Sequence, residues 1–146
     1  MKQRYRSRRL AMQALCCLDV QGEAAINGAQ AFIRDTDETP EVIQDAIGMF
    51  EAAWEHRAAS DALLARHSRH WDLKRMPLVD RGILRLAAWE LTAGETLTAA
   101  VIDEAIRLAH EFSTADSPRF INGILDAIAR EQVEGEGRSN GNDAAE

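Results

Sequence analysis

Five cations crowd the first nine residues: Lys2, Arg4, Arg6, Arg8 and Arg9, with Tyr5 among them and no acid. A guanidinium is planar and offers several N–H donors in a fixed fork, so arginines at this density suit phosphate oxygens. An interleaved tyrosine adds a ring on which a nucleic-acid base can stack. The opposing reading is that short basic starts are common and often carry no function. A second candidate surface is the string Asp116-Ser117-Pro118-Arg119-Phe120. Phe120 lies at the edge of its helix's apolar stripe, beside Arg119. It reads either as a stacking platform or as a plug that closes the end of the core.

Other reactive residue types lack company. His67 and His70 stand three apart with Asp72 near. No supporting cluster completes a metal site there, and solvated histidines at a helix end are the better reading. Cys16 and Cys17 are adjacent, and neighbouring cysteines rarely bridge. They read as packing residues. Asp103-Glu104 belongs to a solvated face. No Gly-rich phosphate loop, nucleophile elbow or set of metal ligands occurs. The residues therefore point to binding rather than catalysis, and call for no cofactor.

These residues need elements to hold them. At 146 residues the chain makes one domain with a core of its own. The net charge is −7, so the basic start sits on an acidic body, a pattern that suits a local anionic partner. No apolar run is long enough to span a bilayer and no apolar leader opens the chain; a cytoplasmic protein is expected. The pattern gives a flexible basic arm over residues 1–6, a helical domain over residues 7–131 and a disordered acidic tail over residues 132–146. The tail is Gly, Ser, Asn and acids, with Val133 its one large apolar residue.

Within the domain the helical period recurs and no strand pattern does. The first helix is expected over residues 7–19, with Leu10, Ala11, Ala14, Leu15, Cys17 and Leu18 inward and Arg9, Met12, Gln13 and Cys16 outward. A second, modest helix covers residues 23–33. Thr39-Pro40-Glu41 is a helix start, and Arg57 interrupts the stripe that follows, so that helix must end or bend near there. A short helix over residues 60–67 comes next. The string Pro77-Leu78-Val79-Asp80-Arg81-Gly82-Ile83-Leu84-Arg85-Leu86-Ala87-Ala88-Trp89-Glu90-Leu91 is apolar over most of its circumference, which marks a buried central helix. Its polar strip is Asp80, Arg81 and Arg85. Two more helices follow, over residues 99–112 and from Ser117. Gly123, inside the last, suggests a close helix–helix approach.

The central string resembles the matching helix of the NusB family of bacterial transcription antitermination factors. The resemblance continues in Val101-Ile102-Asp103-Glu104-Ala105-Ile106 and in Asp116-Ser117-Pro118-Arg119-Phe120-Ile121-Asn122-Gly123-Ile124-Leu125-Asp126, with the same order and spacing. It implies an all-α, single-domain bundle of about six or seven helices that binds RNA and is not an enzyme. The implied partners are boxA-type single-stranded RNA, the small-subunit ribosomal protein NusE and the RNA polymerase antitermination complex on ribosomal RNA operons. The arginine-rich start of the family matches Arg4, Arg6, Arg8 and Arg9. Its Asp-Ser-x-x-Phe at the RNA-facing loop matches Asp116, Ser117 and Phe120. Its acidic residue on the NusE-facing side matches Asp80. One departure is Cys16, where such chains often carry a tyrosine; the wheel puts it outside, near Arg9. Two other readings stand beside this one. One is a helical protein-interaction module that has lost RNA binding. The other is a NusB-like domain related to those of ribosomal RNA cytosine methyltransferases.

Overall fold

The computed structural model describes residues 2–68, 72 and 75–145, with Lys2 and residues 136–145 described by their backbone alone. His70 of the histidine pair therefore lies outside the described residues. Seven α-helices and no strand occur among them: α1 (Lys2–Gln21), α2 (Ile26–Arg34), α3 (Pro40–Glu55), α4 (Arg57–His67), α5 (Leu78–Ala93), α6 (Thr98–Phe112) and α7 (Ser117–Ala145). Among the described residues no helix is long and apolar enough to cross a membrane.

Helix α5 is the axis. Gly82 to Ala88 are buried without a break, as are Glu90 and Leu91. Helices α1, α3, α4, α6 and α7 all pack against it. Gly94 ends it in the left-handed region at φ 70°, which glycine adopts without steric cost. Thr39 caps α3 by accepting from the Val42 N–H at 3.3 Å. The break foreseen at Arg57 is real: α3 stops at Glu55 and α4 starts at Arg57. The Arg57 guanidinium lies 4.0 Å from the Trp54 ring centroid and donates to the Trp54 carbonyl at 2.7 Å, which satisfies one of the carbonyls the helix end leaves open.

Helix α1 departs from expectation. It begins at Lys2, so residues 2–6 form its first turn and not a flexible arm. Tyr5, Ser7 and Arg8 are buried there, and the packing holds the turn that propensity alone leaves open. Met12, expected outside, is 1% exposed. Cys16 also turns inward, because Gly82 brings α5 so close that a Cβ at that glycine would stand 2.9 Å from the Cys16 Sγ. The thiol donates to the Leu78 carbonyl at 3.6 Å, and burial pushes its pKa up to about 11, with Asp19 adding to the rise. Gly82, not Gly123, is thus the close approach; around Gly123 the space is open. At the other end, α7 continues to Ala145, past residue 131 where composition predicts order to stop. Once a helix has nucleated, extension needs only local hydrogen bonds. Val133 stays 69% exposed and so adds nothing to the core.

Candidate nucleic-acid interface

The helical path of residues 2–9 divides the arginines between two faces, since side chains three and four apart share a face. Arg4 and Arg8 form one pair. Arg8 is 2% exposed. Its Nε and Nη2 donate to the Glu90 carboxylate at 2.8 Å each, and its Nη1 pairs with Glu104. Arg4 reaches Asp45 at 2.5 Å and Glu90 at 3.8 Å. The expectation that Arg8 faces solvent is therefore corrected: its guanidinium is consumed inside, where a buried cation needs carboxylate partners. Arg6 and Arg9 form the other pair, half-exposed, and both contact Glu38 from the turn between α2 and α3.

Tyr5 is likewise removed from the stacking role. It is 4% exposed, its hydroxyl donates to Glu111, and Arg107 lies 3.8 Å from its ring centroid. Burial, then the bond to Glu111, pushes the phenol up to about 12. Sequence patterning assigns no role to Glu90, Glu111 or Arg107, and it puts Glu104 on a solvated face; the structure corrects this, with the Glu104 side chain only 13% exposed and paired with the buried Arg8. Their signal was an outward position on a clean helical wheel, which says nothing about a neighbouring helix.

The loop before α7 is built on Asp80. That carboxylate is 2% exposed and accepts from the hydroxyls of Ser113 and Ser117, the latter at 2.8 Å. Ser117 also lies 2.9 Å from the Ser113 hydroxyl and 2.8 Å from that of Thr114. Asp80 thus moves from the partner surface to the interior, as the anchor of the turn. The rest of the polar strip is paired as well: the half-buried Arg81 meets Asp19 at 3.0 Å, and the buried Arg85 meets Asp61 and Asp19 at 2.9 and 3.2 Å. Desolvation alone would lower the Arg85 pKa, but the two aspartates outweigh it and hold the guanidinium above its ordinary value.

Around this anchor opens a cleft of about 330 Å³, lined by Arg75, Met76, Pro77, Asp116, Ser117 and Phe120 among others. Ser117 is buried, whereas Asp116 and Arg119 are exposed. Phe120 is half-buried, with one side on the core and the other on the cleft. It therefore divides the two roles its sequence position allowed. Phe120→Ala is expected to cost about 1–2 kcal/mol of stability, below the full price of about 3–5 kcal/mol for a buried phenylalanine. Urea unfolding measures it; a loss at the full value would make Phe120 a core residue only.

The arginine face and the turn have separate partners, Glu38 for the one and Asp80 for the other. They are set relative to one another by α5, which meets α1 at Cys16 and the turn at Asp80. Among the described residues no group of three or more metal-ligating side chains gathers.

The NusB family model matches residues 5–130. The transcription antitermination protein NusB of Solibacter usitatus (strain Ellin6076) is 42% identical over 137 residues, 92% of this chain and 93% of the relative. T. maritima NusB has the same fold, with a TM-score of 0.80, 32% identity and coverage of 88% of this chain and 91% of that one. A further likeness of fold is to a structure of antitermination factors NusB and NusE in complex with double-stranded RNA. There the TM-score is 0.75 and the identity 21%, over 90% of this chain and 98% of the other.

Proposed function

This chain belongs to the NusB family, and on that premise we propose that it is a cytoplasmic transcription antitermination factor that holds boxA-type single-stranded RNA jointly with ribosomal protein NusE and promotes transcription of ribosomal RNA operons. One observation carries the RNA side of this reading: Arg6 and Arg9 share a face of α1 with their guanidiniums half-open to solvent. Arg4, 39% exposed at its side chain, adds a cation on the other face, where it pairs with Asp45. Lys2, whose side chain is outside the described residues, continues the row in sequence. The turn at residues 116–120 supplies the second contact, through Asp116, Arg119 and the open side of Phe120. Ser117 serves it by holding the backbone. The role of Asp80 toward NusE is indirect, through the shape of the same turn.

A gel shift with boxA-type RNA, with and without NusE, tests the reading. The double change Arg6→Glu and Arg9→Glu is expected to weaken RNA binding by about tenfold or more. It should also flatten the salt dependence by about 0.7 in log–log slope for each single-strand phosphate that is no longer neutralised. The helical circular dichroism should not change, because neither guanidinium lies in the core. Unaltered RNA affinity in this variant would remove the arginine face from the interface. Phe120→Ala, compared with it, is expected to lose about 1–3 kcal/mol of RNA affinity if a base stacks on the ring.

A further inference from the structure

The two arginines that share the open face of α1 also share a single carboxylate. Glu38 Oε2 lies 2.8 Å from Arg6 Nε, and Glu38 Oε1 lies 3.3 Å from Arg9 Nη2. The side chains of Arg6 and Arg9 are 38% and 32% exposed, and that of Glu38 only 16%. The carboxylate is therefore the least exposed of the three charged groups. Its backbone is held on both sides. Thr36 donates its hydroxyl to the Ile33 carbonyl at 2.7 Å, and Thr39 caps α3. Such a preorganised anion takes the place on these donors that a phosphate oxygen would take.

We propose that Glu38 is a built-in competitor for phosphate on Arg6 and Arg9 and sets the affinity with which α1 takes up RNA. The proposal rests on the reading of that face as a phosphate-binding surface. An arriving phosphate must either displace the carboxylate or sit beside it as a like charge, and both weaken binding. The carboxylate reads no base, so it lowers the affinity for every strand by the same factor. Its consequence is a threshold: strands that bring only backbone contacts fall below it, whereas those that add base contacts rise above it.

The test is Glu38→Gln, which keeps the shape and removes the charge. Fluorescence anisotropy against boxA-type RNA and against a scrambled strand of equal length, with NusE held constant, reads the effect. Both strands are expected to bind roughly three- to tenfold tighter, the range that two half-exposed ion pairs supply. The salt slope should steepen by about 0.7, the equivalent of one further single-strand counterion. The thermal midpoint should stay close to that of the parent. Unchanged affinity for both strands in folded Glu38→Gln protein overturns the proposal, and so does tightening confined to the boxA strand. The double arginine variant separates the layers. If it loses RNA while Glu38→Gln leaves affinity unchanged, only the competitor fails; if it keeps RNA, the phosphate surface itself fails.

Discussion

Arg8→Glu is expected to unfold this protein under conditions where the parent is folded. The change removes a guanidinium that is 2% exposed and places a third carboxylate beside Glu90 and Glu104. Breaking a buried pair by loss of one partner costs about 3–5 kcal/mol, because the remaining charge stays buried without compensation. Here two charges remain and a like charge joins them, so the cost lies at the upper end or beyond. A domain holds only about 5–15 kcal/mol in total. Urea denaturation followed by circular dichroism measures the effect. The companion change Arg8→Met with Glu90→Leu removes a cation and an anion together and should recover much of the loss, since apolar residues of similar volume can replace a buried pair at little cost. A cooperative transition at the parental midpoint in Arg8→Glu would contradict the buried placement and return Arg8 to the solvent face.

Asp80→Lys is expected to be nearly as severe, and as a defect of folding rather than of partner choice. The Asp80 carboxylate receives hydroxyl donors from both Ser113 and Ser117. Hydrogen bonds to a charged group contribute about 1.5–3 kcal/mol each. A lysine there offers donors to donors and brings a buried cation, so the turn before α7 should detach and the stability fall by about 3–5 kcal/mol. Asp80→Asn, which keeps one acceptor oxygen, should lose only about 1–2 kcal/mol. Unfolding curves for the two variants, set beside NusE binding by calorimetry, decide the matter. If Asp80→Lys keeps the parental midpoint and loses NusE, the carboxylate is an interface group after all.

Local chemistry alone determines a good deal of this protein. The near-continuous apolar circumference around Ile83 to Leu91 required a buried helix, and α5 is that helix. Thr39-Pro40 and the misfit of Arg57 in an apolar stripe placed helix ends, because caps and interruptions act within one turn of the chain. The motif at residues 116–120 was visible for the same reason.

What the sequence could not show was where a charge goes once helices cross. Glu38 lies 29 residues from Arg9, and Glu90 lies 82 residues from Arg8. Read as an arm, the arginines were equivalent; read as a helix from Lys2, their spacing already split Arg4 and Arg8 from Arg6 and Arg9. That signal was present but had no apolar stripe to announce it. The inward turn of Cys16 depended on Gly82 of another helix, and the burial of Asp80 on two serines beyond α6. A wheel gives the direction of a side chain about its own axis, but only the packing of a second helix decides whether that direction leads to water, to a core or to an opposite charge.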